Sequence, residues 1–433
     1  MFGLDAVQRE TIGLNYVLTR LEPDSPYGRE KLKHLSFLDQ AALEACFDNI
    51  EKLMDFDEIR PHLAALKNIR GSITKTETLT QVDIFEIKHF LITFEKLHIP
   101  ELKGISLQPM SDALAIVDPS GLRIATYTVE SPMLYSIRKE KLRAEIIDPL
   151  LVEQEVAEET RVLQEITKKL RKHTATFLSN MNNIGELDLT MAKARLAQEL
   201  GAARPILSKR EVLSFKEMGN PYIAETLKNH SLTKIFVTFD KGITIITGAN
   251  MGGKSVALKS VVLNTLLCRA GFFVFAQEAE VPLFDGVCMI SEEMEDIGQG
   301  LSSFGGEMTR LNEVALRTKS DFLFIALDEP ARGTNPEEGA AIVRGVANHL
   351  ATSSSICVIA THYNQVTSPR FKHYQVAGLK GTGYMDYNLV EARHDAPPPK
   401  DALKICKLIG LNKDLLAKIN KEVNNDTNTN IRP

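Results

Sequence analysis

Eight residues, "GANMGGKS" (248–255), constrain this chain more than any others. They stand between an apolar run, "ITIIT", and an uninterrupted helical pattern, "VALKSVVLNTLL". A strand that turns into a helix through glycines leaves few folds open, and the spacing is that of a phosphate loop, G-x-x-x-x-G-K-[ST]. Gly248, Gly252 and Gly253 let the loop's N–H groups, those of Ala249, Asn250 and Met251 included, turn inward around phosphate oxygens with no Cβ in the way. Lys254 can reach the β and γ oxygens, and the Ser255 hydroxyl can ligate Mg²⁺. The helix that starts there points its positive end at the anion. The competing reading is a plain glycine-rich turn between strand and helix.

The surrounding rhythm supports the loop. From "GAARPILS" (201–208) onward, apolar runs ("ITIIT", "FLFIAL", "SICVIAT") alternate with helical patterns ("EMTRLNEVALR", "EEGAAIVRGVANHL"). Strand–helix alternation implies a mainly parallel sheet covered by helices over 206–395. The first 200 residues read as helix instead. Ile87, Phe90, Leu91 and Phe94 fall at i, i+3, i+4 and i+7, and Ile166, Leu170, Phe177, Met181 and Ile184 form a second stripe. The fold class expected is therefore an α/β P-loop ATPase domain preceded by an all-α region. Proline and glycine interrupt the helices near 100–121, and 117–130 reads as a short hairpin. The polar end, residues 421–433, is expected to be disordered.

Composition removes several classes. Net charge is −5, from 51 basic and 56 acidic residues, which argues against a strongly basic nucleic-acid binder. Five scattered cysteines lack metal-ligand spacing and are expected to be reduced thiols. The opening "MFGLDAVQRE" carries no signal-peptide pattern, and no apolar run approaches bilayer length. A soluble, cytoplasmic chain with no membrane partner is expected.

A second constellation follows the loop. In "FLFIALDEPARGTNP" (322–336) an apolar strand ends in two acids. At such a tip Asp328 would hold Mg²⁺ through water and Glu329 would polarise the attacking water near the γ-phosphate. "SICVIATHYNQV" places His362 at another strand's carboxyl end, where open α/β sheets bind ligands. In "GQGLSSFGGEMTRLNEV" (298–314), Ser302 and Ser303 precede a helix and make a second anion site. One chain needs only one, so this site either serves a partner subunit's nucleotide or is an ordinary serine N-cap.

In this order, "ITGANMGGKS", "LSSFGGEM", "LDEPARGTNPEEG" and "ATHYNQV" resemble the MutS family of DNA-repair ATPases, within the ABC-type class. "PYGREKL" (26–32) and the helices around 79–97 look like that family's core domain. "DLTMAKARLAQ" (188–198) looks like its lever helix, and "DALKICKLIGLNKDLL" (401–416) like the helix after the ATPase. The likeness divides the chain into a helical core (1–134), lever arms (135–205), an ATPase domain (206–395) and a C-terminal helical segment (396–420). It implies ATP and Mg²⁺ as ligands, with Gly248 through Ser255 on the nucleotide, Ser255 and Asp328 on the metal, Glu329 as base and His362 as switch. It also implies a homodimer with two composite sites, Ser302 reaching the γ-phosphate bound by the other subunit. "GTNPEEG" is closer to the branch that regulates recombination or rescues ribosomes than to the mismatch-recognition branch. The adenine-stacking residue is not fixed by the likeness; Tyr222 and His230 are the candidates.

The departures bear on the partner. By this likeness no mismatch-reading domain is expected ahead of the core pattern and no nuclease-like domain after the ATPase. About ten residues separate "YSIRKEKLR" (135–143) from "EQEVAEETR" (153–161), roughly 15 Å of helix, too little for a DNA-embracing clamp. The basic runs "IRKEKLR" (137–143) and "KKLRK" (168–172) could contact DNA phosphates, but such runs are more often solvated helix faces. Two functions stand: a MutS-like ATPase binding duplex or branched DNA in repair or recombination, and an ATPase remodelling a protein partner such as a cobalamin-dependent aminomutase.

Overall fold

The apolar runs that open the carboxyl-terminal half form the centre of a six-stranded sheet in the computed structural model of the chain. The structure describes residues 4–126, 129, 131–144, 146, 148–226, 234–248, 253–291, 303–379, 385–397, 403, 406–407 and 410–429. Two compact units emerge. One comprises residues 1–20, 36–44 and 197–433, the other 21–35 and 45–196.

The first unit holds ten strands among its described residues: β1 (Ile206–Leu207), β2 (Val212–Met218), β3 (Ile235–Asp240), β4 (Gly242–Thr247), β5 (Glu278–Val281), β6 (Gly286–Ser291), β7 (Leu323–Asp328), β8 (Ile356–Ala360), β9 (Lys372–Leu379) and β10 (Met385–Glu391). The large sheet runs β10-β9-β4-β8-β7-β6. Every pairing in it is parallel except β10 with β9. β7 and β8 are buried at every position, as strands covered by helices on both faces must be. That burial is why "FLFIAL" and "SICVIAT" read as continuous apolar runs with no alternation.

Helices Lys254–Arg269, Ser303–Arg317 and Pro336–Leu350 accompany this sheet. The first starts on Gly253, at φ +90°, and ends where Gly271, at φ +74°, lets the chain reverse. A second sheet, β1-β5-β2-β3, was not legible in the apolar runs. Its long pairings are antiparallel, and β3 alternates buried and exposed residues along its length. A last helix, Lys413–Thr429, begins on Asn412, whose side chain accepts from the Asp414 and Leu415 amides. It runs through residues 421–429, where polar composition argued for disorder.

The second unit is built of helices, and an isolated Leu102–Ile105 bridge is the β contact among its described residues. The stripe Ile87, Phe90, Leu91 and Phe94 is buried on the Gln81–Phe94 helix. Phe90 meets Phe177 and Tyr27 at ring separations of 6.2 Å, so the second stripe closes on the first. A 3₁₀ turn, Arg171–His173, divides that second stripe between the Pro149–Leu170 and Thr174–Leu200 helices. "PYGREKL" also meets "DLTMAKARLAQ" in this unit. Asp188 accepts from the amides of Asp24 and Ser25 at 2.9 and 2.6 Å and from the Ser25 hydroxyl at 2.6 Å.

Two local expectations need correction. The described residues of 117–130 form no strand pair, because the Ser111–Val117 helix is followed by a turn and then by chain without regular structure. The gap between the two arm helices is shorter than about ten residues, since Pro132–Arg143 and Pro149–Leu170 leave only 144–148 between them. Ser131 and Asp148 cap those helices, with proline in each first turn. No described helix is long and apolar enough to cross a membrane.

Candidate nucleotide site

The register of the large sheet assembles the site. Ile246 pairs with Ala360, and Ala360 with Asp328, so β4, β8 and β7 end at one level. Two further backbone bonds carry this alignment beyond the strands. Thr361 N–H donates to the Ile246 carbonyl at 2.9 Å and Glu329 N–H to the Ala360 carbonyl at 2.8 Å. The residues that follow, Gly248, His362 and Glu329, therefore converge at the carboxyl edge, where open parallel sheets take ligands.

Lys254 is central and 2% exposed. Its ammonium donates to the Gly248 carbonyl at 2.9 Å and lies 3.3 Å from Glu329 Oε1. Glu329 Oε2 is 3.3 Å from Arg332 Nη1 and 3.9 Å from His362 Nδ1. Among the described residues neither Glu329 Oε2 nor His362 Nδ1 has a hydrogen-bond partner, although both atoms are buried. Burial pushes the His362 imidazole below its ordinary range, Glu329 pulls it back up, and Lys254 and Arg332 add to the depression. A neutral imidazole beside a charged carboxylate can accept or relay a proton, which suits the edge where water would attack.

The Ser255 hydroxyl donates to Asp328 Oδ1 at 3.0 Å. Burial raises the Asp328 carboxyl, while the Ser255 bond and Lys259 oppose that rise. A buried carboxylate paired with a hydroxyl gains from a divalent cation, and an all-oxygen set fits Mg²⁺, which keeps several waters and binds through few protein ligands. No cluster of three or more His, Cys, Asp or Glu that could hold a metal occurs among the described residues, so phosphate and water would supply the rest of the shell.

Not every expected residue can be placed. Ala249, Asn250, Met251, Gly252, Ser302 and His230 lie outside the described residues. Ser303 opens the Ser303–Arg317 helix. Tyr222 packs on Tyr16, ring centroids 5.9 Å apart, and Arg20 lies over the far ring. Sequence reasoning missed four neighbours. Buried His373 receives the Thr247 hydroxyl on Nε2 at 2.8 Å and donates from Nδ1 to the Arg393 carbonyl at 2.8 Å, tying the residue before Gly248 to a distant loop. Arg332, Glu307 and Tyr363 surround the turn after Glu329. The adjacency of Tyr363 to His362 was the one available signal.

Three of the eight basic residues in the two arm runs pair with carboxylates. Arg138 meets Glu155 at 2.8 Å and Glu159 at 3.0 Å, and Lys141 also pairs with Glu155. Lys169 pairs with Glu165 along its own helix. These pairs run between the arm helices as well as along one of them.

Comparison with known proteins agrees with this geometry. MutS domain V matches residues 244–394, from β4 through the loop after β10. Endonuclease MutS2 of Caldicellulosiruptor bescii is 29% identical over 373 residues, which are 81% of this chain and 45% of that protein. Endonuclease MutS2 of Carboxydothermus hydrogenoformans is 34% identical over 219 residues, 50% of this chain and 27% of that one. Endonuclease MutS2 of Streptococcus pneumoniae is 28% identical over 278 residues, 62% and 34% of the two chains. The chain thus spans less than half the length of these relatives. The domain match covers the phosphate-loop sheet and the relatives' similarity reaches well beyond it, and together they support a MutS-family member.

Proposed function

We propose that this chain hydrolyses ATP. The observation that carries the reading is the convergence of Lys254, Ser255, Asp328 and Glu329 at one sheet edge. Lys254 takes the β and γ oxygens of the nucleotide and releases Glu329 as it does so. Glu329 orients the attacking water and accepts its proton, with His362 behind it. Mg²⁺, held by Ser255 and Asp328, would supply charge neutralisation on the transferred phosphoryl group.

The site works in a homodimer. Ser302 and Ser303 serve the γ-phosphate bound by the second copy, and turnover moves the helical arms. The relatives' name, endonuclease, points to nucleic acid as the class of partner, so we place duplex or branched DNA first, in repair or recombination. A protein partner is the second reading, favoured because Arg138, Lys141 and Lys169 already face carboxylates. Phosphate release from MgATP by the purified chain, measured alongside its sedimentation with and without nucleotide, tests the ATPase. A chain that stays single with ATP and releases no phosphate overturns it. Duplex affinity at two salt concentrations decides the partner. DNA contacts through phosphate must weaken steeply with salt, and no binding at low salt moves the assignment to protein.

A further inference from the structure

Two of the four non-glycine residues with positive φ among the described residues, Glu329 at +51° and Ala331 at +58°, flank Pro330 immediately after β7. Proline fixes the φ between them. Such a double left-handed turn persists only where its surroundings over-determine it. Three elements do so here. The Ala331 N–H donates to Glu307 Oε1 at 2.9 Å, from the Ser303–Arg317 helix. The Ala331 carbonyl accepts from the Tyr363 hydroxyl at 3.1 Å, just beyond β8. Gly339, on the Pro336–Leu350 helix, leaves room for that hydroxyl, since a Cβ there would stand 2.5 Å from it and 2.9 Å from the Ala331 carbonyl oxygen. Ala331 is fully buried at the centre of this brace.

We propose that Glu307, with Tyr363, is a positioning residue for Glu329, and that through it the helix opened by Ser303 is tied to the chain's own nucleotide site. The inference rests on the ATPase reading above. Glu307 lies about one helical turn beyond Ser303. A shift of the turn at Ala331 on nucleotide binding therefore pulls on the helix start that faces a neighbouring nucleotide in a dimer. In the other direction, loss of the Glu307 bond lets the strained turn relax and carries the Glu329 carboxylate away from its place.

The test compares Glu307→Ala, Glu307→Gln and Tyr363→Phe in the full chain, reading kcat, KM, the Kd of a fluorescent ATP analogue and the thermal midpoint. Glu307→Ala lowers kcat on the order of tenfold, since small misplacements of a reacting group are costly, with Kd unchanged within about twofold. Glu307→Gln keeps the oxygen that faces the Ala331 amide and returns most of the activity. Tyr363→Phe has a smaller effect in the same direction. Peptide-level hydrogen exchange rises at 329–333 in Glu307→Ala and not in Glu307→Gln. If Glu307→Ala turns over like the wild type, or if the Gln variant is no better than the Ala variant, the positioning role is overturned while the ATPase stands. If kcat, affinity and midpoint fall together and glutamine rescues none of them, Glu307 is structural only and the inference is overturned. A wild-type chain that releases no phosphate overturns both.

Discussion

The Lys254 ammonium lies 3.3 Å from the Glu329 carboxylate, with both side chains at least nine-tenths buried. On the proposed function each group serves the same nucleotide, one for its phosphate oxygens and the other for the water that attacks them. ATP must therefore break this pair to bind, and the carboxylate opposes an incoming tetra-anion. Glu329→Gln keeps the shape, frees Lys254 and removes that repulsion. The expected result is phosphate release slowed by roughly 10²-fold or more, as for loss of a general base, with ATP bound at least as tightly as before. Single-turnover phosphate release and equilibrium binding measure the two effects separately. Turnover at the wild-type rate would take Glu329 out of the base role.

Lys254→Ala has the opposite signature. It deletes the cation aimed at the phosphates and leaves Glu329 and Asp328 close together without it. ATP affinity should fall by on the order of tenfold or more, as for a buried charge-assisted contact. The thermal stabilisation that ATP gives the wild type should then largely vanish, because it scales with RT ln(1 + [L]/Kd). A melting shift with MgATP equal to that of the wild type would show that Lys254 does not hold the nucleotide.

The parts of this site that could be read in the sequence share a physical cause. β4, β7 and β8 are buried along almost their whole length, so each reads as a short, mainly apolar run, and the candidate site residues Gly248, Asp328, Glu329 and His362 lie at or just past their carboxyl ends. Gly253 had to be glycine for the chain to leave β4 and start a helix at φ +90°. What escaped was non-local. The tie between Thr247 and His373 spans 126 residues, and that between Ala331 and Glu307 spans 24, with one partner of the latter a backbone amide that no side-chain spacing encodes. β2 pairs with β5 across some 60 residues of chain, so the second sheet left only weak alternation in each strand. The arm helices start at Pro132 and Pro149, where the Ser131 and Asp148 caps set the boundaries.

His362 should give the acid limb of the pH profile. Burial lowers its imidazole from 6.5, so the folded chain holds this ring neutral where an ordinary histidine is already taking up a proton. The unfolded chain binds that proton first as pH falls. Its small contribution to stability is thus present above 6.5 and lost as pH drops from there towards the folded value. Histidine-resolved NMR titration of the free protein should place its midpoint below 6.5, and kcat/KM should fall only below the ordinary histidine range. His362→Gln should remove that limb. A midpoint at or above 6.5 in the free protein would contradict the assignment.

Gly28 tests the helical unit independently of any chemistry. A Cβ there would stand 2.2 Å from Asp188 Oδ2 and 2.8 Å from the Pro23 Cβ. Asp188 cannot swing aside without cost, since it is fully buried and accepts from Asp24 and twice from Ser25. Gly185 repeats the tight approach on the Thr174–Leu200 helix, its Cβ position lying 2.9 Å from the Tyr27 carbonyl oxygen. Gly28→Ala should therefore cost about 1–3 kcal/mol, the usual penalty of overpacking, seen as a lower urea midpoint at constant slope. Gly71→Ala is the control. Nothing lies within 4 Å of its Cβ position on the Arg70–Thr74 helix, so alanine there should be neutral or stabilise by about 0.5–1 kcal/mol. Equal midpoints for the two variants would mean that the packing of "PYGREKL" against Asp188 does not hold in solution.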